Sequence, residues 1–330
     1  MRFGLVLPSI SFPDLDYATC ARLREFAVRA EELGYEALWV CEHLVTARGL
    51  YGTAWLSPLE TLAFAAGCTR RIKIATGILI PAIRNPVFLA KEIASLQFLS
   101  GGRFELGVGV GWDAQEFEVA DVPITQRGGR TDESLDVFEK LWTGEEVTHR
   151  GRYYSFDRVT IDPPLPQRPP LWVAGGAKIK TELSPDPETI APTVLDRICR
   201  RADGWLARAA GSNRSIIDDW AQIVRRLDEI GRPRSSLAFG HLNFTHVVPT
   251  DDEAAALREQ RPRIERVMGT HRSFEHLQTC YLLGAPARIR ERIAELAAAG
   301  LEYLVLSPLD YDPGQLDVWE EEIVRYFRST

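Results

Sequence analysis

The sequence predicts an α/β fold, a single (β/α)8 TIM barrel over residues 1–330, and three observations carry that expectation. Short apolar runs recur along the chain, each too brief for a helix. Longer stretches with helical periodicity separate most of them, and parallel strands need crossovers of that kind. The runs number eight, which is the count that closes a barrel. An open doubly wound sheet is the alternative; uniform composition and alternation continuing to residue 306 favour closure.

The eight expected strands are Phe3 to Leu7, Ala37 to Cys41, Ile72 to Thr76, Phe104 to Val108, Leu171 to Ala174, Gly204 to Arg208, Leu237 to Val247 and Glu302 to Leu306. Helix starts are marked by Ser57-Pro58-Leu59-Glu60 and Thr250-Asp251-Asp252-Glu253, which fit capping boxes. Pro58, Pro86 and Pro313 stand where a first turn has no N–H bond to lose. Gly34, Gly67, Gly101, Gly231 and Gly300 follow helical patterns and precede strands, as expected of left-handed residues that turn the chain back. A last helix, about Pro313 to Phe327, should pack outside the barrel. The rhythm breaks between the fourth and fifth strands, where 143–170 reads as an insertion at the amino-end face. Within it, Gly151 to Phe156 suggests a short hairpin and Pro163 to Pro170 a proline-rich return.

Composition narrows the function classes. The formal charge is -7 and no run of lysines or arginines is dense enough to follow a phosphate backbone, so nucleic acid is not expected as a partner. No apolar run approaches the roughly 20 residues of a membrane-spanning helix. The five cysteines are scattered without a C-x-x-C pair, which gives no support to a disulfide framework or a zinc site. A soluble cytoplasmic enzyme without a metal is the expectation.

In a closed barrel the informative residues lie just past the strands. After the second comes Glu42-His43, an acid beside an imidazole that titrates near neutrality; the plainer reading is a rim hydrogen bond. After the third comes Thr76-Gly77-Ile78, either a close approach to a ligand or a simple turn. The fourth runs into Gly107-Val108-Gly109-Val110-Gly111-Trp112, which is not a dinucleotide fingerprint because Trp112 stands where the third glycine belongs. Its glycines either leave room for a flat ring or serve barrel packing. The fifth ends in Ala174-Gly175-Gly176-Ala177-Lys178, either an anion cradle of N–H groups with a lysine beside it or a flexible turn. Phe12, Tyr51 and Trp55 in the long loops, and His241, Asn243 and Thr245 alternating on the seventh strand, are candidates to shape a substrate pocket or to serve packing.

Together, Glu42-His43, Thr76-Gly77-Ile78, Arg84 to Lys91, Ser100-Gly101-Gly102-Arg103 and Leu106 to Trp112 resemble the luciferase-like monooxygenase family. The likeness continues through Arg130 to Glu133, Gly151 to Phe156, Ala174-Gly175-Gly176, Ala202 to Trp205 and Gly300 to Tyr303, and looks closest to the F420-dependent branch. The resemblance implies coenzyme F420, with FMN as the alternative, usually in a homodimer. It implies that Glu42 and His43 are catalytic and lie beside the reactive ring. It also implies a non-prolyl cis peptide at Gly77-Ile78 behind the ring, a lining of Val110, Gly111 and Trp112, and phosphate contacts at Gly175, Gly176 and Ala177. The implied reaction is hydride transfer between the deazaflavin and a small organic substrate, His43 handling the proton. An FMN monooxygenase using oxygen, and a flavin-binding barrel without turnover, are the alternatives.

Overall fold

The computed structural model describes residues 1–11, 17–45, 54–177, 189–312 and 314–328. Eight parallel strands close a barrel: β1 (Arg2–Val6), β2 (Ala37–Val40), β3 (Lys73–Thr76), β4 (Phe104–Val108), β5 (Leu171–Ala174), β6 (Gly204–Ala207), β7 (Ala238–Thr245) and β8 (Tyr303–Pro308). Each pairs with its sequence neighbours, and β1 completes the ring against β8 through Arg2 and Tyr303. Around them run α1 (Thr19–Glu32), α2 (Pro58–Cys68), α3 (Pro86–Leu99), α4 (Ala114–Val119), α5 (Arg127–Leu141), α6 (Pro192–Arg201), α7 (Asn213–Glu229), α8 (Glu253–Met268), α9 (Phe274–Cys280) and α10 (Pro286–Ala299). All eight strand expectations match within a few residues.

Period-two alternation divides each strand between two cores. Phe3, Leu5, Leu38, Val40, Ile74, Leu304 and Leu306 face the helices, while Val6, Trp39, Ala75, Trp172, Leu206, Leu242, Tyr303 and Val305 form a separate inner cluster. Three large rings fill that interior: Trp39, Trp172 and Tyr303 lie with centroids 5.4–5.8 Å apart. Their polar ends are satisfied, Trp39 Nε1 donating to Tyr303 Oη at 2.9 Å and Trp172 Nε1 to Glu105 Oε2 at 2.8 Å. Lys73 balances the Glu105 charge at 2.8 Å. Gly204 and Gly240 make room for Trp172, because a Cβ at either would stand 2.2 or 2.7 Å from its ring. A buried apolar side chain of this size contributes about 2–3 kcal/mol, so the interior is a packed core and chemistry belongs to the rim.

The punctuation is partly as expected. Gly34, Gly101, Gly231 and Gly300 take positive φ after their helices. Gly67 does not, because α2 continues through it to Cys68 and ends on Thr69 in an extended conformation. Neither capping box forms as read. Ser57 Oγ is spent on the Glu60 carboxylate, with no side-chain bond to the backbone N–H groups of the first turn. At α8 the cap is Asp252, which accepts from Ala255 N at 3.0 Å, while Glu253 reaches away to Ala285 N and Arg288. Pro58 and Pro86 open α2 and α3, and Pro313 lies outside the described residues.

The insertion contains a hairpin longer than predicted, Val147–Arg150 against Ser155–Val159, with 151–154 as its turn. The terminal segment Gln315–Trp319, a π turn at Glu320–Val324 and Arg325–Arg328 pack outside β1, where Phe327 meets Phe3 at 6.3 Å. Among the described residues no helix is long and apolar enough to cross a membrane.

Candidate functional site

The rim after β2 holds three residues of different character. Cys41 continues the inward phase of Trp39, and burial pushes its thiol up to about 12, which removes it as a nucleophile. Glu42 and His43 follow, and they do not pair. Neighbours in an extended chain point to opposite sides, so each finds its partner far away in sequence.

Glu42 turns to the segment beyond β3. Its Oε2 accepts from Ile80 N at 2.6 Å, and its Oε1 accepts from Arg84 through Nε at 3.0 Å and through Nη2. Burial drives its carboxyl above the ordinary range while the Arg84 guanidinium pulls the other way. The expected acid–imidazole pair is therefore corrected: Glu42 braces the loop after β3, with both oxygens occupied by that loop.

His43 meets a different acid. Its Nδ1 lies 3.3 Å from Glu116 Oε1, which also accepts from Leu44 N at 2.7 Å. Glu116 is fully buried, and its Oε2 accepts from no protein group among the described residues. It sits in the first turn of α4, where Asp113 caps the helix by accepting from Gln115 N at 2.9 Å and the helix dipole suits a negative charge. The His43 ring lies 5.8 Å from Trp55 and 6.1 Å from Trp112, between one buried indole and one that is half exposed. Sequence reasoning missed Glu116. The only local signal is Asp113-Ala114-Gln115-Glu116, which reads as a cap pattern and gives no hint of a histidine 73 residues earlier.

The residues after β3 and β4 interlock. The Gly77-Ile78 peptide is cis, as the resemblance implied. Leu79 then rejoins the sheet, its N–H donating to Gly107 O at 2.8 Å and its carbonyl accepting from Gly109 N at 2.9 Å. Gly109 lies under the Ile78 side chain, which a Cβ would strike at 2.7 Å. Gly111 takes φ +73 against Ile80 and Phe117, a turn that carries the chain into α4 and brings Glu116 to His43. Much of the glycine run thus serves packing. Ile78, Val110 and Ala174 remain half-buried at the mouth, an apolar floor that suits a flat ring.

The corner after β5 fits its expected role less well. Gly175 N donates to Leu206 O at 3.4 Å, and Ala177 N donates to the buried Asp219 carboxylate at 3.2 and 3.3 Å. Arg208 lies 3.4 Å from the same carboxylate and donates to Ala177 O at 2.7 Å. The protein's own anion occupies the predicted cradle, so among the described residues of this corner the Gly176 N–H is the one left for a phosphate. Ala177 as a phosphate contact is corrected on that ground. Lys178 lies outside the described residues.

Of the pocket candidates, Trp55 joins His43, whereas Phe12 and Tyr51 lie outside the described residues. His241 and Asn243 are corrected. On β7 the inner phase belongs to Leu242 and Phe244, and Asn243 bonds outward to the 280–282 segment, donating to Cys280 O and accepting from Leu282 N, both at 2.9 Å. Asn243 Nδ2 also lies 2.9 Å from His241 Nε2, and burial pushes that imidazole down to about 4. Among the described residues no group of three or more His, Cys, Asp or Glu side chains could hold a metal ion.

With this geometry in view, comparison with known proteins gives the class. The luciferase-like monooxygenase family model matches residues 1–303, and the chain belongs to that family. An F420-dependent glucose-6-phosphate dehydrogenase of Kineococcus radiotolerans is 35% identical over 158 residues, 47% of this chain and 47% of that protein. The chain thus spans about half the length of that relative. An F420-dependent hydroxymycolic acid dehydrogenase of Mycobacterium tuberculosis is 29% identical over 238 residues, 71% of this chain and 61% of the relative. The structure of an F420-dependent secondary alcohol dehydrogenase with an F420-acetone adduct superposes with TM-score 0.77 at 19% identity, covering 98% of each chain. The oxygenating constituent of 3,6-diketocamphane monooxygenase from Pseudomonas putida, with FMN, superposes with TM-score 0.69 at 20% identity, covering 98% of this chain and 96% of that one. At such identities these two structures establish the shared fold.

Proposed function

We propose that the protein is an oxidoreductase that uses coenzyme F420 to transfer a hydride to or from a small organic substrate, acting as one catalytic domain. The observation that carries this reading is His43, held at the carboxyl end of β2 beside a buried carboxylate and between two indoles. When bound, the deazaflavin supplies the hydride chemistry. The chain contributes the rest: Ile78, Val110 and Ala174 floor the ring site, Trp55 and Trp112 exclude water around His43, and His43 takes or gives the accompanying proton. The F420-dependent names of relatives sharing up to 35% identity support F420. The FMN-bound monooxygenase of like fold keeps FMN as the second reading.

Titration of the purified protein tests this. F420 fluorescence should change saturably at micromolar concentrations, with FMN binding at least tenfold more weakly. Tight FMN binding without F420 binding would establish the second reading instead, and binding of neither would sink both.

The working unit is a homodimer. α3 has a largely apolar sequence, and its outer face, which also carries Lys91 and Glu92, leaves Phe88, Phe98 and Leu99 each about 70% exposed. Beside it, α2 exposes Ala63 and Gly67 along with Glu60, and the two small residues let a helix approach closely. Light scattering should give twice the mass of one chain, and Phe88→Lys with Phe98→Glu should halve it. A monomeric wild type would remove the proposal.

A further inference from the structure

We propose that Glu116 is the positioning residue of the site: it fixes the orientation and tautomer of His43, the part the neighbouring Glu42 does not play. The inference rests on the reading of His43 as the proton-handling group. A carboxylate only accepts hydrogen bonds. With Oε1 3.3 Å from Nδ1, the ring carries its hydrogen on Nδ1 and presents Nε2 as the proton-accepting nitrogen. The separation is long for a strong bond, as acid–base contacts often are before substrate arrives.

Three further observations distinguish Glu116 from a carboxylate that merely holds structure. Glu42, Glu31 and Glu133 have both oxygens engaged: Glu42 on Ile80 N and Arg84, Glu31 on Arg70, Arg71 and Ile72 N–H, and Glu133 on His149 and the Arg152, Tyr153 and Tyr154 N–H groups. Glu116 uses one oxygen for Leu44 N and His43 together, so the bond that orients the ring also fixes the backbone next to it. Its other oxygen is buried without a protein donor among the described residues, an arrangement that costs stability and that a structural role would not require. When His43 takes a proton, the adjacent buried carboxylate stabilises the imidazolium, and when it gives the proton back the same bond restores the starting tautomer.

The test is the tautomer itself, read without cofactor. In protein labelled with 15N-histidine, long-range 1H–15N correlation at pH 8.5 reports which ring nitrogen carries hydrogen, and His43→Gln assigns the His43 signals. Wild type should show hydrogen on Nδ1. Glu116→Ala should move the pattern toward hydrogen on Nε2 or an average of both forms, while Glu116→Gln, which keeps an acceptor oxygen, should restore the wild-type pattern. Hydrogen on Nε2 in the wild type overturns the proposal whatever the variants do. So does a Glu116→Ala protein that folds, by circular dichroism, with an unchanged His43 pattern. If the tautomer follows Glu116 but F420 titration fails, the positioning stands and the proposed function falls; the converse result separates them the other way.

Discussion

Two of the acid–imidazole pairs stand at opposite ends of the barrel, and they are built differently. At the amino end, His149 Nε2 lies 3.2 Å from Glu133 Oε1, but Glu133 also gathers the N–H groups of Arg152, Tyr153 and Tyr154 and so ties the inserted hairpin to α5. His149 is stacked on Phe156 inside that hairpin, with ring centroids 5.4 Å apart. At the carboxyl end, His43 pairs with Glu116 at 3.3 Å, near a half-exposed indole and with one carboxylate oxygen lacking a donor among the described residues. The same residue types make a fastening in one place and the proposed proton-handling pair in the other. What decides between them is how many backbone donors the carboxylate must serve, and whether the ring faces the mouth.

A third imidazole sharpens the comparison, because it has no carboxylate partner among the described residues. His241 is buried against the Asn243 amide, and desolvation holds it near 4 against an ordinary value of 6.5. Its folded form binds fewer protons than the unfolded chain between those values, so its contribution to stability is complete above about pH 6.5 and lost as pH falls toward 4. The drop amounts to about 3 kcal/mol. Urea midpoints of wild type and His241→Gln should therefore diverge between pH 7.5 and pH 4.5, the variant being less acid-sensitive. Parallel curves would show that His241 is not held neutral.

A smaller effect tests the fastening. Burial alone would raise the Glu133 carboxyl, yet the Tyr154 N–H, His149 and the Tyr153 N–H together hold it below the ordinary range. Its stabilisation is present above the unfolded value of 4.5 and fades as pH falls through the lower folded value. Glu133→Ala should cost about 2 kcal/mol at pH 7 and speed proteolysis within 151–154, while the F420 titration stays at its wild-type value. A fall in cofactor affinity with no loss of stability would reverse the roles assigned to the two pairs.

The chain's own order determined a great deal. Apolar runs separated by helical segments specify eight strands, because a parallel strand buried on both faces must be apolar and must be followed by a crossover. Four glycines mark helix ends because few other residues take positive φ. Local spacing also placed His43, Gly77-Ile78 and Trp112 on the same rim. It did not choose their partners. Glu42 is adjacent to His43 yet turns to Arg84, Glu116 arrives from beyond β4, and Asp219 fills the corner expected to hold a phosphate. On β7 the alternation showed that His241, Asn243 and Thr245 share a side, but not that the packed interior would claim Leu242 and Phe244 and turn the polar set outward. Periodicity is a property of neighbours and can be read along the chain. Which carboxylate meets which ring depends on strands closing into a barrel, and that brings together residues whose spacing carries no signal of their meeting.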